Sequence, residues 1–304
     1  MSIDSLARPE IVAMKPYSSA RKEAPGRGIL LNANECPWSL LDNTGLDGSL
    51  NRYPDPQPQE LVSRLAALYE MAEENVLLTR GSDEGIDLLT RVFCRAGEDA
   101  ILHCPPTFGM YAIAARTQGA AIVSVPRMPD DGFRMDQAGI IDALAKNTAI
   151  KLVFLTTPNN PTGDAVEPDF LMRLLDLTAE RALIVVDEAY AEFCDFPSAS
   201  TLIDRYENLV VLRTLSKAWA AAGLRCGTVL AQTSVISLLR RIIAPYPLAS
   251  PVVSLACRML DPALLNRQQQ MLSAVQDNKE RLLSILRKRP FIREIWPGEA
   301  NFVL

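Results

Sequence analysis

The sequence has a single histidine, His103, among its 304 residues. One histidine cannot supply the ligands of a histidine-rich metal centre, and the scarcity also argues against a Ser-His-Asp hydrolase. His103 ends an apolar run, so we expect it to be buried and hydrogen-bonded, with a structural role. None of the six cysteines forms a Cys-x-x-Cys pair, which argues against a zinc site and favours reduced cysteines.

Neither an excess of one charge nor a long apolar run is present. Lys and Arg number 31 against 36 Asp and Glu, and the two signs are interspersed, which argues against binding to nucleic acid or to a membrane surface. No apolar run is long enough to span a bilayer, and Met-Ser-Ile-Asp-Ser at the start does not resemble a secretory signal. We therefore expect a cytoplasmic protein. Its 304 residues can bury a sizeable core.

One stretch carries the strongest chemical signal, Arg213-Thr-Leu-Ser-Lys-Ala-Trp-Ala-Ala-Ala-Gly-Leu-Arg225. Lys217 lies among small residues, so we expect its amine to be poorly solvated and able to attack a carbonyl carbon. Arg225 offers a planar, permanently charged fork for a phosphate, and Thr214 and Ser216 add hydroxyl donors. An amine nucleophile beside a phosphate site indicates pyridoxal phosphate. Taken alone, the stretch fits an ordinary surface lysine and arginine about equally well.

Two further motifs strengthen this interpretation. Pyridoxal phosphate needs an acid that keeps its ring nitrogen protonated, and Asp187 ends an apolar run with Tyr190 three residues later. Upstream, another apolar run leads into a turn that contains Asn160-Pro-Thr-Gly. The order of Asn160-Pro-Thr-Gly, Asp187-Glu-Ala-Tyr and Ser-Lys217, with Arg225 eight residues further on, resembles the fold-type I aminotransferases.

The resemblance is narrower within that group. Thr-Leu-Ser-Lys-Ala218, Ala-Gly-Leu-Arg-Cys-Gly227 and Ile-Ala-Pro-Tyr-Pro247 are similar to the histidinol-phosphate aminotransferase family, and the likeness runs from about Tyr17 to the last residue. It implies pyridoxal 5'-phosphate as the cofactor. It also implies amino transfer between L-histidinol phosphate and 2-oxoglutarate, giving imidazole acetol phosphate and L-glutamate in L-histidine biosynthesis. A homodimer with shared active sites is implied as well.

The resemblance gives roles to the matching positions. Lys217 would hold the cofactor and act as base and acid for the substrate proton. Asp187 would keep the ring nitrogen charged. Tyr190 and Asn160 would hydrogen-bond the phenolic oxygen, and Phe108 would stack on the ring, where many relatives have tyrosine. The residues expected around the cofactor phosphate are Gly81, Ser82, Asp83, Thr214, Ser216, Arg225 and the partner subunit's Tyr53.

Outside the Lys217 stretch, the motifs also fit ordinary structural roles. The glycine turn at Gly81 is only part of a dinucleotide fingerprint, and such a turn is often just a turn. By resemblance, Tyr17 lies on an arm near the substrate and Asn34 at the entrance of the site. A surface arm would explain the Tyr17 segment equally well, and a plain turn the Asn34 segment. Tyr53 lies in a proline-rich loop that also fits a simple linker into the next helix.

The spacing of apolar residues predicts an α/β fold with strands near residues 76, 100, 121, 152, 183, 209 and 227. Helical patterns between them indicate a mostly parallel, seven-stranded sheet sandwiched by helices, as in fold type I, with the candidate site residues just after strand ends. We predict a strand over residues 29–35. Helices are predicted from near residue 58, over residues 234–245 and over about 264–289.

Three segments are expected along the chain. Residues 1–45 would form an N-terminal arm and part of a small domain, residues 46–255 the large cofactor-binding domain, and residues 256–304 the rest of a smaller α+β domain built from both chain ends. The sequence ends at residues 301–304, inside what resembles a strand. Members of the family continue there with an arginine that binds the substrate α-carboxylate, so we expect a truncated small domain.

Other functions stay open at this stage. Loss of the C-terminal segment would be compatible with a pyridoxal phosphate-binding protein that is inactive. Another fold-type I enzyme, such as an aromatic aminotransferase or an amino-acid-phosphate decarboxylase, also fits. Binding of a substrate phosphate would need a cationic residue beyond Arg225, and Arg21 is a candidate only by its position. A nicotinamide dehydrogenase would need a complete glycine fingerprint followed by an acid, which the sequence does not contain.

Overall fold

The structure is a computed structural model that describes residues 2–17, 33–41, 50–296 and 298–304. These residues contain one seven-stranded sheet. Its strands are β1 Val76–Thr79, β2 Ala100–His103, β3 Ala121–Ser124, β4 Ile150–Thr156, β5 Leu183–Asp187, β6 Leu209–Thr214 and β7 Gly227–Ala231. All seven predicted strands are therefore confirmed.

The order of strands across the sheet is β1-β7-β6-β5-β4-β2-β3. The strands from β6 to β3 pair in parallel, whereas β7 pairs antiparallel with both β6 and β1. Because β7 is reversed, its first residue lies at the same edge as the carboxyl ends of the other strands. In parallel α/β sheets this edge is where ligands bind. The mostly parallel α/β fold is confirmed.

Helices cover both faces of this sheet. They are α1 Pro9–Ala13, α2 Gln59–Leu68, α3 Gly81–Phe93, α4 Met110–Gln118, α5 Gln137–Lys146, α6 Pro168–Thr178, α7 Thr233–Leu239, α8 Ser250–Met259 and α9 Pro262–Leu286. The helices predicted from residue 58 and over 264–289 correspond to α2 and α9. The helix predicted over residues 234–245 is wrong at its end, because α7 stops at Leu239 and only a tight turn reaches Ile243. Pro245 lacks the N–H that a longer helix would use.

The core divides into two layers because strand residues alternate between the faces of the sheet. In β5, Ile184 and Val186 contact the cluster that includes the buried sides of α2, α5, α6 and α8. Leu183 and Val185 contact the other cluster, which includes α1, α3, α4 and α7. All four side chains are fully buried. The central strands are therefore fixed from both sides, which makes their carboxyl ends a rigid platform.

Several other predictions can be compared with the structure. His103 is buried and its Nε2 lies 2.9 Å from Ser124 Oγ, which confirms the expected burial and hydrogen bonding. Of the strand predicted over 29–35, residues 29–32 lie outside the described residues and 33–35 are not in a strand. Residues 301–304 are not a strand either, since the local hydrogen bonds there join only Leu304 and Trp296. The three predicted segments stay predictions. Within the described ranges, no helix combines the length and apolarity needed to cross a membrane.

Candidate active site

A cavity of about 230 Å³ lies at the carboxyl-end edge of the sheet. Strand ends β4, β5 and β6 supply its floor through Thr156, Asp187 and Thr214. Of the fourteen predicted site residues, those that line it are Ser82, Asp83, Phe108, Asn160, Asp187, Tyr190, Thr214, Ser216, Lys217 and Arg225. Sequence analysis missed Thr156, Ala189 and Ala222, which also line it. Their roles in binding or chemistry stay predictions.

Asp187 is the buried acid of this cavity, with only 2% of its surface exposed. Its Oδ2 accepts a hydrogen bond from the Tyr111 hydroxyl at 2.8 Å, and its Oδ1 accepts one from the Ala189 N–H at 3.1 Å. Burial raises the pKa of the Asp187 carboxyl to about 6, and these two donors oppose that shift. A positive charge placed in the cavity would therefore strongly stabilise the ionised form of the Asp187 carboxyl.

Tyr111, which sequence analysis did not select, lies directly behind Asp187. It is fully buried in the first turn of α4 and stacks on Phe154 with ring centroids 4.7 Å apart. Its hydroxyl also lies 2.8 Å from Thr156 Oγ1. Phe108, three residues earlier, meets the Tyr111 ring edge-on at 5.8 Å. A tyrosine one helical turn from a candidate stacking residue was the available signal, but an apolar core role explains such a spacing equally well.

Lys217 lies at the rim of the cavity rather than in a dry pocket. The residue is exposed, whereas Ala218 and Trp219 are buried. The expectation of a poorly solvated amine is therefore wrong, because the small neighbours pack inward and leave the lysine uncovered. Its Nζ is 5.4 Å from the centre of the Tyr190 ring, and Asn160 Nδ2 donates a hydrogen bond to the Tyr190 hydroxyl at 3.1 Å. Lys217 and Asn160 therefore both lie next to Tyr190.

A candidate anion site lies at the other end of the cavity, where α3 begins. The helix starts at Gly81 without a side-chain cap, and no hydrogen bond recorded among the described residues uses the N–H of Ser82 or Asp83. Free N–H groups at a helix start attract an anion, and the helix dipole adds to that attraction. Gly81 itself, with φ +73°, allows the close approach of Arg225, since an added Cβ would lie 2.5 Å from Nη2.

Arg225 borders the candidate anion site from the β7 side. Its Nη2 lies 3.0 Å from Asp83 Oδ2, and its Nη1 donates to Ser216 Oγ at 3.2 Å. Thr214 Oγ1 donates in turn to Ser216 Oγ at 2.9 Å. The Asp83 carboxylate is itself negative, so Asp83 could contribute only its backbone N–H to the binding of an anion.

The other predicted residues lie elsewhere in the chain. Gly81 contributes backbone beside the cavity, as described. Asn34 and Tyr53 line a separate cavity of about 390 Å³, where the Tyr53 ring stacks on Tyr246 at 4.6 Å. Tyr17 lines a third cavity of about 820 Å³, and Arg21 lies outside the described residues. In the part of the chain that the structure describes, no group of three or more His, Cys, Asp or Glu side chains is arranged to hold a metal ion.

Comparison with known proteins places these features in one group. The family model for aminotransferase class I and II matches residues 27–304. The histidinol-phosphate aminotransferase of Aeromonas salmonicida is 46% identical over 309 aligned residues, which cover 100% of this chain and 84% of that protein. The corresponding enzyme of Xanthomonas euvesicatoria is 47% identical over 305 residues, covering 100% of this chain and 83% of that protein.

Solved structures show the same fold. The histidinol-phosphate aminotransferase of Sinorhizobium meliloti, solved in complex with pyridoxal-5'-phosphate, superimposes with a TM-score of 0.76 at 24% identity, over 84% of this chain and 67% of that one. The enzyme of Clostridium acetobutylicum gives a TM-score of 0.74 at 24% identity, over 84% of this chain and 74% of that one. At this level of identity the likeness concerns the fold.

Proposed function

The chain belongs to the aminotransferase class I and II family, and we propose that it transfers an amino group between L-histidinol phosphate and 2-oxoglutarate, giving imidazole acetol phosphate and L-glutamate. The observation that carries the proposal is the meeting of an amine, a buried carboxylate and an anion-binding helix start in one cavity. The substrate assignment is supported by the identity of 46–47% to two histidinol-phosphate aminotransferases over the whole chain.

The cofactor of this family is pyridoxal phosphate, and the residues present fit it. When bound, it supplies an aldehyde that condenses with amines and a ring that withdraws electrons. At one end of the cavity, the N–H groups of Ser82 and Asp83 and the Arg225 guanidinium suit a phosphate. At the other end, Asp187 has a raised pKa and two neutral donors as its hydrogen-bond partners, so a protonated ring nitrogen would supply the missing positive charge.

Lys217 is the proposed catalytic residue. Its Nζ would carry the cofactor when no substrate is bound and, once released, would take the proton from the substrate Cα and return it as an acid. Exposure at the rim supports this role, because an amine that exchanges partners must be reachable by the incoming substrate. Tyr190, with its hydroxyl oriented by Asn160, would hold the phenolic oxygen.

A homodimer is part of the proposal, because Tyr53 lies outside the Lys217 cavity of its own chain. Large apolar side chains are exposed in the same region, namely Trp38, Leu40, Leu41, Leu50 and Tyr53. Such a concentration is typical of a protein–protein interface. We place the partner subunit's Tyr53 at the cofactor phosphate, with Tyr17 and Asn34 near the substrate. We also propose a cytoplasmic location, as for a step of histidine biosynthesis.

The proposal is tested by an amino-transfer assay on purified protein supplied with pyridoxal phosphate and 2-oxoglutarate. L-Histidinol phosphate should give L-glutamate in a 1:1 ratio with imidazole acetol phosphate. L-Phenylalanine and L-aspartate, at equal concentration, should react at least about tenfold more slowly, because they lack the phosphate that the site is proposed to recognise. Lys217→Arg, which keeps the charge, should give no glutamate. Faster reaction with L-phenylalanine would instead assign an aromatic aminotransferase.

A further inference from the structure

A cluster of hydrogen-bonded side chains, buried except for the partly buried Glu192, adjoins the Lys217 cavity. Arg213 Nη1 donates to Glu188 Oε2 at 2.7 Å, and Arg213 Nη2 donates to Glu192 Oε1 at 2.8 Å. The Trp219 indole N–H donates to the same Glu192 oxygen at 3.3 Å. We refer to Arg213, Glu188, Glu192 and Trp219 as the Arg213 cluster. None of the four belongs to the residues that line the cavity.

The Arg213 cluster joins the two chain segments that carry the proposed chemistry. Glu188 precedes Tyr190 by two residues, and Glu192 follows it by two. Arg213 precedes Lys217 by four residues, and Trp219 follows it by two. Each of the two functional side chains is therefore flanked on both sides by residues that are bonded to the opposite segment.

The contacts in the cluster are directional and largely shielded from water, although the Glu192 side chain is 15% exposed. Arg213 is 7% exposed, Glu188 3% and Trp219 6%. Burial by itself lowers the pKa of the Arg213 guanidinium, but the carboxylates of Glu192 and Glu188 outweigh it and raise the pKa above its ordinary value. The arginine therefore stays charged, and its planar fork fixes two carboxylates at defined angles.

Stability alone is a weak reason for such an arrangement. Apolar residues of similar volume often replace a buried ion cluster without loss, so a cluster of this kind is better explained by the geometry it imposes. The Lys217 turn needs such support. Ala220 has φ +51°, a conformation that a residue with a Cβ rarely adopts, and its N–H donates to the Lys217 carbonyl at 3.0 Å. Trp219 lies between Lys217 and Ala220, and its hydrogen bond to Glu192 fixes the turn.

We propose that the Arg213 cluster is a positioning device that sets where Lys217 Nζ lies relative to the Tyr190 hydroxyl. Arg213 and Glu192 are positioning residues, since neither lines the cavity. The inference rests on the proposed function, because it gives Lys217 and Tyr190 their roles. It predicts that loosening the cluster slows the reaction of Lys217 with the cofactor more than it weakens cofactor binding.

Trp219→Phe and Glu192→Gln test this inference with small changes. The first removes the indole N–H together with one ring of a buried side chain, and the second keeps the shape and an acceptor oxygen but removes a charge. The readout is the rate at which the visible absorbance band forms when pyridoxal phosphate is added to protein freed of cofactor. Each variant should form the band at least about tenfold more slowly, because a misplacement of about 1 Å in a reacting group can cost about a hundredfold in rate. Cofactor affinity should change less than about threefold, because neither Glu192 nor Trp219 lines the cavity.

The two variants together show whether one contact is responsible. If the Trp219–Glu192 bond transmits the effect, the double variant should be no slower than the slower single variant, because neighbours in one network are not additive. Matched controls are Trp296→Phe, at a tryptophan that packs on Phe133, and Glu98→Gln, in an exposed pair with Arg95. Both should form the band at the wild-type rate.

Band formation within twofold of wild type in both single variants would overturn the proposal, as would rate losses that simply multiply in the double variant. If Glu192→Gln fails to fold by circular dichroism, Trp219→Phe decides alone. Failure of the proposed function is recognised separately. In that case wild-type protein would bind pyridoxal phosphate and form the band, yet release no glutamate from L-histidinol phosphate and 2-oxoglutarate.

Discussion

At the scale of single residues, Asp187 shows how the fold prepares a carboxylate for a ligand. It lies at the end of a strand that is buried along its whole length, so water cannot stabilise its charge. Tyr111 donates a hydrogen bond to one carboxylate oxygen and Ala189 to the other, but neither donor carries a positive charge. The two hydrogen bonds therefore orient the carboxylate, but they do not fully offset the cost of burying its negative charge. A cationic ring nitrogen would relieve this condition, which is why we assign Asp187 to that atom.

Asp187→Asn separates stability from cofactor binding. Between its usual pKa of 3.8 and about 6, the folded wild-type protein binds more protons at this site than the unfolded chain. Stability of the cofactor-free protein should therefore fall as the pH rises through that window. The variant lacks this loss and should be more stable at neutral pH by about 1–3 kcal/mol, but nearly equal to wild type at pH about 4.

The cofactor should respond in the opposite direction. An amide cannot balance a cationic ring nitrogen, so the affinity of Asp187→Asn for pyridoxal phosphate should fall by roughly tenfold to a hundredfold. Urea denaturation at several pH values and a cofactor titration measure the two effects. Asp142→Asn, in an exposed pair with Lys146, serves as the control and should change neither. A variant that loses both stability and affinity at neutral pH would contradict the role given to Asp187.

Some residues of the candidate site could be predicted from the sequence and others could not. Lys217, Asp187 and Arg225 could be found because their residue types are uncommon after buried strands and suit one cofactor. Tyr111 could not, because its hydroxyl matters only through a partner 76 residues away in the sequence. The exposure of Lys217 was also hidden, since residue type does not say which neighbours pack inward.

At the scale of elements, the start of α3 and the start of β7 form one unit. Gly227 opens β7 opposite Thr79, and an added Cβ there would lie 2.4 Å from the Gly81 carbonyl carbon. Two glycines thus let a helix start, a strand start and the Arg225 side chain crowd together. The result is a dense group of N–H donors and one guanidinium around a single point.

Gly81→Ala should disrupt this unit, and Gly97→Ala provides a matched control. Both glycines have positive φ, +73° and +76°, but only Gly81 would place its new methyl against Arg225, whereas Gly97 has open space around it. Each variant should lose about 1–2 kcal/mol of stability from backbone strain. Only Gly81→Ala should lose cofactor affinity, by at least about tenfold. Equal affinities in the two variants would show that Arg225 does not need this close approach.

The elements were the most predictable level of the molecule. All seven strands follow from apolar runs bounded by polar or glycine residues. Six of them are almost entirely buried, which leaves little room for polar side chains, whereas the edge strand β3 is partly exposed. Ends of helices were less predictable. The helical pattern continues past Leu239, and only the turn that leads toward Pro245 decides where α7 stops.

At the scale of the whole molecule, the reversal of β7 gathers the site. Six strands end at one edge of the sheet and β7 begins there, so residues from 82 to 225 reach one cavity although they are far apart in sequence. Tyr53 does not reach it within one chain, and sequence analysis could anticipate this only through the resemblance. The composition of a proline-rich loop would not by itself predict the proposed crossing to a partner.

Mixed dimers test the shared site directly. Lys217→Ala and Tyr53→Ala should each be nearly inactive alone, because each site would lose one essential group. When the two proteins are unfolded together, refolded and supplied with cofactor, activity should return to about a quarter of wild type, since half of the random dimers contain one intact site. Mixing without exchange of subunits is the control. Absence of recovery, with mixed dimers demonstrated by mass, would contradict a site shared between subunits.

The most direct test of the whole account is the visible absorbance spectrum of the purified protein with bound pyridoxal phosphate, recorded before and after addition of L-histidinol phosphate. We predict that the band given by wild type shifts to shorter wavelength on addition of substrate, returns when 2-oxoglutarate is added, and is missing from Lys217→Ala at the same cofactor concentration. A wild-type band that L-histidinol phosphate leaves unchanged, or the same band in Lys217→Ala, would contradict the proposed reaction.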